Sequence, residues 1–306
     1  MSRSFSTAWC VISSHGPWRA ALSLLAAMAV VGGAEAMSSS GEAESERKLL
    51  TNRGRVVFER PGATDRHVYI IGQSHRSAQT GANGPDTVAA QADVYRLGQW
   101  LIENQDVELF LPEGFFDART GAPVSSSRGA RPEGAWMDEV TLERRLSDTS
   151  VFTSAGNLLW ESCSVRFRQV EDEDLYVQSL GLISSGTDRR SDAEWLADLE
   201  HVQERRSAAI LQNVVRVVQE EYGEGHIKNR RAVVTVGLAH LSEILRFLRD
   251  ERIEVSSSAC PTARCPTYDS ELELLEGDFG ITVIVPQSLW ENRSALRVAR
   301  LDHLAP

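Results

Sequence analysis

Two histidines and a glutamate stand where an α/β sheet would deliver them to one place. His75 follows the apolar run Val68–Ile71 through Gly72-Gln-Ser, and His240 follows Val233–Val236 through Gly237-Leu-Ala. Between them, Glu113 follows Val107–Leu111 through a single proline. Two imidazoles and a carboxylate are the usual minimum for a catalytic divalent cation that keeps one position open for water. Without a metal the same groups suit acid–base work, one imidazole acting as base and the carboxylate fixing its tautomer.

The strand-Gly-x-x-His pattern carries weight through its context. With 7 His and 22 Gly in 306 residues, chance gives roughly half an occurrence of Gly-x-x-His. The chain has three. Gly223-Glu-Gly-His226 has no strand ahead of it and reads as a surface turn. The other two share apolar strand, glycine, two residues and histidine. Gly72 and Gly237 are candidate binding positions, because a glycine there permits a sharp turn and close approach of the backbone to a ligand. A further acid, Glu171, follows the run Ser164–Val170 and is a candidate fourth ligand or general base.

Parallel strands in an open sheet would gather these groups, since ligands bind beyond the carboxyl ends of such strands. The strand candidates are Arg55–Glu59, His67–Ile71, Val107–Leu111, Ser164–Val170, Arg231–Val236 and Gly280–Val285, rich in β-branched and aromatic residues. Helical periodicity marks Asp86–Asn104, and Ser191-Asp-Ala-Glu194 opens a long helix to about Tyr222. A third helix is expected over Ser242–Asp250. Strands alternating with helices, several of them continuously apolar, imply an α/β fold with a mostly parallel central sheet flanked by helices. The segment 117–135, rich in Gly, Pro, Ser and Arg, reads as a long loop and residues 136–160 as one or two short helices, the whole of 115–160 forming an irregular insertion over one edge.

The amino terminus reads as an address. Arg3 and Arg19 precede the apolar run Ala20–Val31, and Ala34-Glu35-Ala36 is a small-x-small cleavage site. Residues 1–36 are therefore expected to be a signal peptide, 37–54 a polar tail, and 55–306 a single α/β domain. The apolar run is short of the roughly 20 residues a spanning helix needs. The expected product is secreted or periplasmic, with no membrane span. In that oxidising setting Cys260 and Cys265, four residues apart in between, are a disulfide candidate, and Cys163 a small buried hydrophobe. A net charge of -11 and pI near 5.2 argue against nucleic acid, whose phosphates demand a basic face. There is no Gly-x-Ser-x-Gly elbow, phosphate-binding glycine loop or His-Glu-x-x-His.

The segments HVYIIGQSH, VELFLPEGF, VRFRQVEDEDLY and VVTVGLAHL, threaded through residues 67–241, resemble those of the superfamily that joins TraB and Tiki proteins with erythromycin esterase and the haem-binding ChaN. The resemblance implies an α/β core with His75, Glu113 and His240 at the site and Glu171 as the further acid. Tiki-like members imply a metal-dependent hydrolase, peptidases among them, with Mn, Co or Zn held by His75, Glu113 and His240. The esterase implies metal-free hydrolysis on the same residues, and ChaN implies haem or small-ligand binding, with Tyr176 or a histidine as axial ligand. The expected partners are a peptide, an ester or another small molecule.

Overall fold

In the computed structural model, residues 52–74, 84–114, 135–148, 150, 153–185, 192–255 and 269–304 are described. His75, Cys260, Cys265 and the expected signal peptide lie outside them. Of the expected tail, residues 52–54 belong to the fold: Arg53 pairs with Asp93 and Glu139, and Gly54 opens the first strand.

The central sheet has six strands in the order β1-β8-β2-β5-β3-β4. These are β1 (Gly54–Arg60), β2 (Arg66–Gln73), β3 (Leu109–Pro112), β4 (Arg166–Phe167), β5 (Arg230–Gly237) and β8 (Gly280–Pro286). Only β1 runs antiparallel to its neighbour; the others are parallel. A separate two-stranded ladder joins β6 (Arg252–Glu254) and β7 (Asp269–Glu271).

Side chains alternate across each strand, and both faces are covered, so the strands are apolar throughout. On one face Val68, Ile70, Val234 and Val283 meet the helices that precede and follow β5. On the other, Tyr69, Ile71, Phe110 and Val233 meet α1 (Pro85–Asn104), α2 (Glu139–Ser147) and α3 (Ala155–Ser162). Each buried Ile or Val contributes about 1.5–3 kcal/mol. The one or two short helices expected within 136–160 are α2 and α3. Capping by Asp138 and by the Ser154–Asn157 box fixes the starts of α2 and α3, which pack on α1.

After β4 come α4 (Glu173–Ser185) and the long α5 (Asp192–Gly223); α6 (Leu238–Asp250) follows β5 without a loop. The expected start of that helix at Ser242 is corrected to Leu238, because Gly237 is itself the cap residue. The strand expected over Ser164–Val170 shrinks to Arg166–Phe167. Its neighbour β3 stops at Pro112, which has no N–H to extend a ladder. Arg168 N–H still donates to Phe110 O at 3.2 Å, and beyond it the Asn213 amide donates to Val170 O at 2.9 Å.

The ends of β2 and β5 are level, Gln73 pairing with Gly237, and β3 stops two residues short of them, Pro112 pairing with Thr235. From β2 the chain goes to helices on one face, and from β5 to α6 on the other. The adjacent ends of β2 and β5 therefore form a topological switch point, where an open sheet leaves a crevice.

At the opposite rim, His67 stacks on Tyr69 with ring centroids 4.3 Å apart and meets Thr282 Oγ1 at 2.9 Å. A Cβ on Gly280 would fall 2.3 Å from its Nδ1, so the ring occupies the space that glycine leaves. Burial, with the nearby Arg231 charge, lowers its pKa to about 4. The unfolded chain binds this proton near pH 6.5, whereas the folded chain does not until about pH 4. The neutral ring's contribution is therefore full above pH 6.5 and is lost as pH falls towards 4, by at most about 3 kcal/mol. Urea denaturation across that window is expected to show a steeper loss for wild type than for His67→Gln, which has no titrating group; parallel curves would refute the assignment.

Candidate active site

Glu113 is fixed by its backbone first. Its N–H donates to Thr235 O of β5 at 2.8 Å, directly after Pro112. The next residue, Gly114, has φ of 125°, a conformation that L side chains rarely adopt, so glycine is what lets the chain turn away here. The Glu113 carboxylate reaches back across the strand ends. Its Oε2 accepts from the Gly237 N–H in a short bond, and its Oε1 lies 3.6 Å from His240 Nε2.

His240 sits in the first turn of α6 and is 2% exposed. Its Nδ1 meets Ser207 Oγ of α5 at 2.8 Å. Ser207 is wholly buried and its hydroxyl donates to Gln203 O at 3.0 Å. With its proton so used, the hydroxyl accepts from Nδ1–H, which leaves the Nε2 lone pair facing Glu113.

The neighbouring residue, Arg206, joins the acids. Its Nε donates to Glu171 Oε1 at 2.8 Å and its Nη2 to Glu113 Oε1 at 3.4 Å. The guanidinium lies over the Tyr176 ring of α4, 5.4 Å from its centroid, a cation–π contact. Glu171 is fully buried at its side chain, and its Oε2 has no hydrogen-bond partner among the described residues. Burial raises the Glu171 pKa against the opposing pull of Arg206, and the Glu113 charge adds to the rise. For Arg206 burial alone would favour loss of the proton, but the bond to Glu171 and the charges of both acids more than offset it, so its pKa is raised.

Of the residues expected from sequence, the structure thus gathers Glu113, His240 and Glu171 into one cluster. His75 follows the Gln73–Ser74 end of β2 in sequence and lies outside the described residues. Neither expected glycine makes a sharp turn. Gly72 lies inside β2, where a Cβ would come 2.5 Å from Leu241 Cδ1 of α6; it serves close packing of helix on strand. Gly237, at φ of -54°, caps α6 and supplies the N–H to Glu113. Cys163, expected as a buried residue, is half-buried, its Sγ donating to Leu159 O at 3.0 Å.

Arg206 and Ser207 are the residues that sequence reasoning missed. Their signal was present. Val202, Ile210, Val214 and Val218 form a buried stripe at helical spacing on α5, and Arg206 occupies the one position in that stripe that is not apolar.

Other charged groups lie elsewhere. Glu221, Glu224 and His226 could offer three ligand atoms, but Glu221 is already matched by Arg166 and Arg168, and the group precedes β5, away from Glu113. A cavity of about 660 Å³ beside the amino-terminal half of α1 is lined by Arg53, Asp93 and Glu139, without any residue of the cluster.

No family model, curated protein or solved structure matches this chain. Among the described residues no helix is long and apolar enough to cross a membrane.

Breaking a buried ion pair leaves a charge without compensation, at about 3–5 kcal/mol, whereas replacing both partners by apolar groups is far milder. Arg206→Met is therefore expected to lose about 3 kcal/mol or more in urea denaturation. The double variant Arg206→Met with Glu171→Leu should recover a large part of that loss. Equal losses in single and double variants would show that the pair is not coupled.

Proposed function

We propose that this chain is an exported hydrolase that activates water with its own side chains, His240 acting as base beside Glu113, on an ester or related small-molecule substrate. The observation that carries the reading is the Glu113 carboxylate held at once by the Gly237 amide, the Arg206 guanidinium and the His240 ring. The four segments that resemble the TraB, Tiki, erythromycin esterase and ChaN superfamily support the same residues, and among those branches the esterase fits this arrangement best. Export rests on residues 1–36 as a signal peptide.

In this reading His240 Nε2 takes a proton from water as the water oxygen bonds to the substrate carbonyl carbon. The resulting imidazolium is stabilised by the Glu113 charge 3.6 Å away, and Ser207 holds the ring in the tautomer that makes Nε2 the base. The fixed positive charge of Arg206 favours the oxyanion that develops. When the carbonyl re-forms and the carbon–oxygen bond to the leaving group breaks, His240 returns the proton to the alkoxide.

A resident dication fits the described donors poorly. Glu113 Oε2 is committed to Gly237 N–H, and Oε1 already faces Arg206, whose permanent charge would repel a second cation. Tyr176, the candidate axial ligand for haem, lies with its ring against the same guanidinium.

Hydrolysis of p-nitrophenyl esters by the mature chain should persist in excess EDTA. His240→Ala and Glu113→Gln should each lower kcat by roughly 10²- to 10⁴-fold. Activity that EDTA abolishes and Mn, Co or Zn restores would replace this reading by the metal-dependent one. A Soret band on haem titration, with no hydrolysis by folded protein, would replace it by a binding protein.

A further inference from the structure

The helix that carries Tyr176 to the cluster also carries an apolar face that is left exposed among the described residues. Along α4, Val177 is 59% exposed, Leu180 45% and Ile183 56%. At about 100° per residue, Leu180 and Ile183 lie within about 40° of Tyr176 around the helix axis and about 6 and 10 Å further along it. Tyr176 faces Arg206, so the face it begins leads away from the ion-paired acids as an apolar track. Leu196, 49% exposed on the first turns of α5, belongs to the same helical hairpin. Beside this face the Leu182 carbonyl accepts from Trp195 Nε1 of α5 and Ser179 is buried, so the hairpin is packed along one side of the track.

Contiguous exposed apolar side chains mark a surface that meets something apolar. The charge around the track narrows what that is. From residue 173 to residue 200 the sequence holds seven acidic and two basic residues, and the whole chain carries -11. A second copy of this chain or an anionic lipid surface would meet like charge there. A neutral hydrocarbon group would not, and the track's origin at Tyr176 joins it to the proposed reaction centre.

We infer that the substrate is an ester with an extended apolar group, which lies along Tyr176, Leu180 and Ile183 while its carbonyl reaches His240 and Arg206. The inference rests on the hydrolase reading above and adds to it the class of substrate. Two readouts separate the fate of one from the fate of the other.

The first is binding, independent of turnover: fluorescence titration of the full mature chain with the N-methylamide of 11-(dansylamino)undecanoic acid, a probe with neither a carboxylate nor an ester. Saturable binding is expected, with a Kd on the order of micromolar. A Leu180→Gln, Ile183→Gln double variant should weaken it at least about tenfold. The control Val140→Gln, Val298→Gln, at still more exposed apolar positions off this helix, should leave it unchanged. Both sets are surface positions, and matching far-ultraviolet circular dichroism and urea midpoints would show that folding is intact. The second readout is kcat/KM for p-nitrophenyl acetate against p-nitrophenyl octanoate, with at least a tenfold preference for octanoate expected and abolished in the double variant. No probe binding by wild type, binding within about twofold in the double variant, or equal kcat/KM for the two esters overturns the inference. Probe binding that behaves as expected, with no ester turned over, overturns the hydrolase reading and leaves the apolar track standing.

Discussion

A guanidinium buried between two carboxylates sets the terms for everything around it. Arg206 and Glu171 are both almost fully withdrawn from solvent, and neither charge could stay there alone. The pair ties α5 to the segment after β4, and the longer reach of Arg206 to Glu113 ties both to the end of β3. Glu113 is thereby kept as an acceptor facing His240 and Gly237. One residue further along α5, Ser207 holds the other side of the His240 ring. Two consecutive positions on a single helix therefore fix both the acid and the base. A rigid helix is a better support for such a constellation than a loop would be.

The sheet supplies the meeting place. Parallel strands β2 and β5 end level and β3 stops two residues short of them, and the helices leaving β2 and β5 depart to opposite faces. That departure opens the crevice, and the absence of any loop between β5 and α6 brings His240 to its edge within the first helical turn. Gly237 links the two facts: as cap residue its N–H is not used within the helix, and Glu113 takes it. Gly72 allows the closeness of α6 to β2 by leaving room for Leu241. The cluster thus depends on sheet register, on a helix start and on one missing side chain, all of which lie next to it.

The α/β architecture was legible because fully covered parallel strands must be apolar on both sides, as Val68–Ile71, Val233–Val236 and Ile281–Val285 are. Glu113 and His240 were legible because each follows such a run within a few residues. Less could be read at the edges. The run Ser164–Val170 has the composition of a longer strand than Arg166–Phe167, and only the end of its neighbour at Pro112 cuts it short. The helix expected from Ser242 begins four residues earlier, since a glycine after a strand signals a turn as readily as a cap. Arg206 was not singled out, although it interrupts the apolar stripe of Val202, Ile210, Val214 and Val218 on α5.

By itself, then, the sequence determined the alternation of strands and helices and the polar residues that close three of the strands, because hydrophobic periodicity and residue type are local properties. It did not determine which strand lies beside which, nor which face of α5 turns inward. Those were decided by tertiary packing: the order β2-β5-β3 places Glu113 and His240 within 3.6 Å, and the rotation of α5 carries Arg206 and Ser207 to them. A buried charge becomes acceptable only when its partner arrives from elsewhere in the chain, and the partners of Arg206 lie 35 and 93 residues away.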